Sequence, residues 1–166
     1  IETDLQLEHI DLTRIQHLKK SDWIPTSGKL TGKIKLKGAL PKENVFLINL
    51  RPEGILNINK LALGTGEKKN TIEAAKLIVK DNSRESTQGF IELDKVRTAG
   101  LQLKKVQTKF KINPKQIDLN EGRIILKNGQ LKLTGSFLSL SRDYRLRFQG
   151  SKLKIEDFLE QLTGSL

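Results

Sequence analysis

Two histidines, scattered carboxylates and a set of glycines are the residues of this sequence with chemistry to offer, and their spacing assigns none of them a reaction. His9 and His17 lie eight residues apart, with no acidic pair spaced to complete a metal centre beside them. A metal site needs three or four converging ligands, so both read as surface or half-buried side chains. Glu92 and Asp94 share one parity of a predicted strand. A glycosidase pair must instead flank a scissile bond across a cleft. No Gly-x-Ser-x-Gly elbow occurs, and no Gly-Lys-Ser/Thr loop leads into a helix. Cysteine is absent, which removes disulfides and thiolate metal sites. The sequence predicts no enzyme, no metal and no cofactor.

Charge is the next feature with chemical content. Thirty Lys and Arg against nineteen Asp and Glu leave a net charge of +11 in 166 residues. That balance points to anionic partners: nucleic acid, acidic phospholipid or lipopolysaccharide. A nucleic-acid platform needs exposed aromatics among its basic residues. Phe46, Phe90, Phe110, Phe137, Tyr144, Phe148 and Phe158 mostly share parity with aliphatic residues and read as buried, so nucleic acid is disfavoured. Trp23-Ile24-Pro25 is the one exposed-looking apolar feature. The lysines alternate with Leu and Ile, as in Lys33-Ile34-Lys35-Leu36-Lys37 and Lys152-Leu153-Lys154-Ile155. Alternation places them on the solvent side of strands, where they keep long strands soluble and blunt sheet edges.

The elements that would carry these residues are strands. Period-two alternation recurs through Leu30–Leu36, Val45–Leu50, Leu56–Leu63, Ile72–Lys80, Gly89–Val96, Leu101–Ile112, Ile117–Leu126, Leu131–Phe137 and Tyr144–Phe148. About nine to eleven strands follow, with a parity change between Ile58 and Leu61. Asn128-Gly129 signals a hairpin of the type I′ kind. Asn113-Pro114-Lys115 and Ser141-Arg142-Asp143 are further turns, and Asn120-Glu121-Gly122 is a break or a bulge. Connections this short join antiparallel neighbours, so the strands form a meander. Two stretches break the pattern with helical spacing: Asp11–Lys20 (Leu12, Ile15, Leu18) and Glu156–Leu162 (Phe158, Leu159, Leu162). Ile10–Ile15 matches Leu153–Phe158 in apolar pattern at an offset of 143 residues, a hint of one full repeat.

Amphipathic strands need their apolar face covered, and two short helices cannot roof a sheet of this size. The predicted fold is all-β with two short helices, a long antiparallel meander that curls into an open groove (a half-pipe or β-taco), folds onto itself as a closed β-sandwich or closes as a barrel; alternation alone does not choose among these. An aliphatic lining poor in aromatics supplies contact area without hydrogen-bond specificity, as an acyl-chain groove would need.

The residues that open and close the chain carry a resemblance. Leu7-Glu8-His9-Ile10-Asp11-Leu12-Thr13-Arg14-Ile15 leads to Ser27-Gly28-Lys29-Leu30-Thr31-Gly32-Lys33-Ile34-Lys35-Leu36-Lys37-Gly38. Near the end stand Leu131-Lys132-Leu133-Thr134-Gly135, Tyr144-Arg145-Leu146-Arg147-Phe148 and Leu153-Lys154-Ile155-Glu156-Asp157-Phe158-Leu159. This succession of strand, short helix and glycine-punctuated strand resembles the AsmA-like, TamB-related family of bacterial envelope proteins. The resemblance covers the two ends, and residues 40 to 100 only as generic strands. The motifs rest on glycine and alternation, and the Lys-rich composition departs from the family.

The resemblance implies an elongated periplasmic β-trough, with the parent protein anchored in the inner membrane. It implies phospholipid binding or transport between the inner and outer membranes and a contribution to outer-membrane integrity. It carries no catalytic residues. The chain, which starts at Ile1 and has no Met, reads as a single β-groove domain over residues 1–166, a fragment of a larger chain. Residues 1–26 would be the closing strand and short helix of a preceding unit, and 27–166 one repeat. Candidate groove-lining residues are Leu30, Ile34, Leu36, Leu101, Leu103, Phe110, Ile112, Leu131, Leu133, Leu146 and Phe148. Expected partners are phospholipid acyl chains, neighbouring repeats of the same chain and envelope proteins. The other class of function is a structural or interaction β-domain in envelope assembly that meets an anionic partner through its basic surface.

Overall fold

The computed structural model describes residues 2–14, 24–37, 51–64, 69–82, 86–98, 101–138 and 143–151. Among these residues nine strands follow one another: β1 (Glu2–Asp11), β2 (Pro25–Lys37), β3 (Arg51–Leu63), β4 (Asn70–Asn82), β5 (Thr87–Thr98), β6 (Leu101–Ile112), β7 (Gln116–Ile125), β8 (Gln130–Leu138) and β9 (Tyr144–Ser151). They form one sheet in chain order, each antiparallel to the next. Among the described residues β1 and β9 are its edge strands, so the sheet is an open meander, curled rather than closed. The closed sandwich is not what the described residues form. Most strands run 10 to 13 residues, long for a globular sheet.

The turns obey local chemistry. Between β6 and β7 the Asn113 side-chain oxygen accepts from the backbone N–H of Lys115 at 2.9 Å and of Gln116 at 3.0 Å. Asn113 and Gln116 also exchange backbone bonds, so Pro114-Lys115 is a two-residue hairpin loop. The Asn128-Gly129 hairpin joins β7 to β8, with Leu126 N–H donating to the Gly129 carbonyl at 3.1 Å. It is not type I′, which needs φ > 0 at both central residues: the loop closes from Leu126 to Gly129, the central Lys127 and Asn128 both lack positive φ, and Gly129 (φ 115°) follows them. The helical spacing after Asp11 resolves as a 3₁₀ turn over Leu12–Arg14, started by Asp11, whose carboxylate accepts from the Thr13 N–H and hydroxyl. The remainder of that stretch, the second predicted helix, the run Val45–Leu50 and Trp23 lie outside the described residues. The expected unit boundary at residues 26 and 27 falls inside β2.

Among the described residues four non-glycine positions have positive φ: His9 (48°), Lys60 (53°), Lys95 (48°) and Glu121 (51°). They fall on β1, β3, β5 and β7. The register shifts beside His9, Lys60 and Glu121, the mark of a β-bulge. Such a residue resets the pleat. Apolar residues of odd number precede it on β1 and β7 (Leu5, Leu7; Ile117, Leu119), and even ones follow (Ile10, Leu12; Ile124, Leu126). On β3 the same step explains the parity change between Ile58 and Leu61.

Candidate functional site

The hydrogen-bond register decides which side chains share a face, because directly opposed residues of an antiparallel pair point the same way. Followed from strand to strand, it gives one unbroken row across all nine strands: Leu5, Ile34, Gly54, Val79, Gly89, Phe110, Leu119, Gly135, Leu146. A second complete row is Ile10, Leu30, Ile58, Ala75, Leu93, Val106, Ile124, Leu131, Gly150. Both rows are apolar throughout. Between them lie Leu7, Gly32, Leu56, Leu77, Ile91 and Thr108, and beyond the β7 bulge Gly122, Leu133 and Phe148. Past the positive-φ positions a further row joins Leu61, Ile72, Val96 and Leu103.

Every glycine inside a described strand has the parity of this apolar face. The absent Cβ makes room for a neighbour's side chain. A methyl on Gly89 would stand 2.5 Å from Phe110 Cζ, and one on Gly135 2.5 Å from Leu146 Cδ2. The Phe110 ring thus lies across Gly89, and only 6% of Phe110 is exposed. Leu133 covers Gly122 in the same way and is 8% exposed. Aromatic or aliphatic cover over a strand glycine lets strands approach and bend toward that side. Glycines confined to one face let the side chains of that face pack closely over the strands. Buried side chains are spread from Leu12 after β1 to Leu133 on β8, and cover falls away on β9, where Leu146 is 45% and Phe148 53% exposed.

The one polar member of these rows, Thr108, is buried, and its hydroxyl lies within reach of the Lys109 carbonyl at 3.1 Å and the Asn120 carbonyl at 3.3 Å. The face therefore presents hydrocarbon with no free polar group at that point.

The opposite face is mostly polar, apart from the row Ile55, Ile78 and Phe90, and is laced by ion pairs across strands. Lys35 meets Glu2 at 2.5 Å, Lys37 meets Glu53 at 3.2 Å, and Lys105 bridges Glu92 at 3.2 Å and Asp94 at 3.4 Å. The Gln107 amide donates to Glu92 at 2.5 Å and, with Lys105, holds that carboxyl below the usual carboxylate range. Glu92 and Asp94 in turn raise the Lys105 ammonium. The Glu92/Asp94 pair is thus engaged in holding β5 to β6. Lys76, beside Asn57 and Glu92 in the register, and Lys33, beside Gln6 and Ile55, belong to this face too. His9 is exposed at its bulge. Among the described residues no three His, Asp or Glu side chains gather as metal ligands.

All eleven lining candidates can be placed. Ile34, Phe110 and Leu146 stand in the first row, Leu30 and Leu131 in the second, and Leu133 and Phe148 between them. Leu36 opposes Thr3 and Pro52; Ile112 opposes Thr87 and Ile117. These nine share the apolar face. Leu103 and Leu101 oppose Val96 and Thr98, beyond the positive-φ line. Half-burial there moves to odd-numbered residues, whereas Thr108 and Phe110 are the buried ones farther along β6. The sequence reading missed Leu5, Leu56, Ile58, Leu77, Val79, Ile91, Leu93, Leu119 and Ile124. On β4 and β5 the runs Leu77-Ile78-Val79 and Phe90-Ile91 are apolar on both faces, so alternation alone could not assign them; the register does.

Fold and face together define an open, single-layer antiparallel β-meander with a continuous apolar side. Comparison with family models, curated proteins and solved structures finds no match to this chain.

Proposed function

We propose that this chain is a segment of an AsmA-like envelope protein whose apolar face receives phospholipid acyl chains. In this reading it stands in the periplasm, its parent anchored in the inner membrane. It conducts lipid between the inner and outer membranes and so contributes to outer-membrane integrity. The observation that carries it is the pair of complete apolar rows running across nine strands of a single open layer. Eight inter-strand spacings of about 4.8 Å make that face about 38 Å wide. Hydrocarbon laid on it gains about 0.8 kcal/mol per buried methylene, with no hydrogen bond to satisfy. Such a surface grips lipid tails without selecting among them and without a catalytic group. The ion-paired polar face keeps the other side of the trough in water.

The chain purified from cells is extracted with organic solvent and the extract analysed by mass spectrometry. Phospholipid recovered in stoichiometric amount, and lost when Leu133 and Phe110 are both replaced by Ser in a variant that keeps its β circular dichroism, supports the proposal. A lipid-free wild-type extract from cells and from vesicle-incubated protein overturns it.

A further inference from the structure

The two free edges of the sheet differ in charge. On the polar face β1 carries Glu2, Asp4 and Glu8, and the neighbouring strand answers them with lysines: Glu2 opposes Lys37 and Asp4 opposes Lys35. On the same face β9 carries Arg145 and Arg147, opposed to Ser136 and Thr134 of β8. Among the described residues β9 has a strand on one side only. Its apolar side chains are the least covered of the sheet, with Tyr144 75% exposed. Leu5 of β1 is also exposed on the apolar side.

We infer that the β9 edge takes up a strand that alternates acidic and apolar residues, and that the β1 edge of a second copy of this chain is such a strand. An exposed edge offers a row of backbone donors and acceptors to any added strand. Charge then selects which strand arrives. Two β9 edges would set arginines beside arginines, and two β1 edges would set carboxylates beside carboxylates, each costing affinity. β9 against β1 matches Arg145 and Arg147 with Glu2 and Asp4. It also continues the apolar face from Leu146 and Phe148 to Leu5. The contact is head-to-tail, so it extends the trough instead of closing a pair. It does not depend on what the trough holds, and its test contains no lipid.

Sedimentation velocity of the full chain in low salt, over a concentration series, is the measurement. Two variants are compared: Arg145→Glu/Arg147→Glu, with both edges acidic, and Glu2→Lys/Asp4→Lys, with both edges basic. Wild type associates, and raising the salt weakens that association. Each variant alone associates about tenfold more weakly or worse, and an equimolar mixture of the two regains assembly, because each edge again meets its opposite. Circular dichroism confirms that both variants keep the sheet. Because the chain has no cysteine, an equimolar mixture of Leu5→Cys and Phe148→Cys proteins reports the pairing directly: mixed disulfides exceed each self-disulfide by well over the twofold that random pairing gives. A monomeric wild type, variants that assemble as wild type does, a mixture that fails to recover, or mixed disulfides at or below the twofold ratio overturns the inference.

Discussion

If glycine lets Phe110 lie across the sheet, filling that space should cost the fold stability, and removing the ring should return part of the loss. Gly89→Ala places a methyl 2.5 Å from Phe110 Cζ and 2.7 Å from Cε1, and also against the Ile78 carbonyl oxygen. Overpacking of this kind costs about 1–3 kcal/mol. Phe110→Ala removes a ring that is 6% exposed, and truncation of a buried phenylalanine costs about 3–5 kcal/mol. The two residues are opposed in the β5–β6 register and in contact, so their effects should not add. The double variant should be more stable than the sum of the singles by about 1 kcal/mol; the Ile78 carbonyl, a backbone atom, keeps the recovery partial. Urea unfolding followed by far-ultraviolet circular dichroism gives all four corners of the cycle. Additivity within experimental error would refute the placement of the ring over the glycine.

Other perturbations probe separate parts of the account. Replacing Lys60, Lys95 or Glu121 with Gly should be neutral or stabilise by up to about 1 kcal/mol, since each holds a left-handed backbone that favours glycine; the control Lys33→Gly in extended β2 should destabilise in the same urea assay. Glu92 is held below its unfolded value, so its contribution is present above about pH 4.3 and is lost as pH falls through the folded value. Glu92→Gln should therefore flatten the acid limb of stability against pH, by under about 1 kcal/mol. Asn113→Ala removes both side-chain bonds of the β6–β7 turn and should cost about 1 kcal/mol by thermal unfolding. Leu133→Lys buries an unpaired charge and should cost about 3 kcal/mol or more, whereas Phe148→Lys, half exposed on β9, should leave the urea midpoint nearly unchanged.

The strands were legible because Lys and Leu alternate so strictly, as in Lys33–Lys37, and because Pro114 and Gly129 punctuate them. The meander was legible from the short turns; its openness was not, because a sandwich or a barrel would show the same alternation. The pleat reset was legible at Lys60, as the parity change between Ile58 and Leu61, and at Glu121, as the Asn120-Glu121-Gly122 break. It escaped at His9 and Lys95, because left-handed backbone in a strand is ordinarily announced by Gly or Asn. The hairpin at Asn128-Gly129 was found but its type was not, because the loop closes from Leu126 to Gly129 and needs only one positive φ. The lining was legible where one face is polar, on β2, β6 and β8. It was hidden on β4 and β5, where Ile78 and Phe90 oppose each other on the outer face and break the alternation.

The central claim is that hydrocarbon occupies one face of this sheet and not the other. Photo-crosslinking amino acids placed in living cells at Leu133 and Phe110 on the apolar face, and at Lys132 and Lys109 on the polar face, test it directly. The account predicts phospholipid adducts by mass spectrometry at Leu133 and Phe110 and none at Lys132 or Lys109. Adducts at all four positions alike, or at none of them, would contradict it.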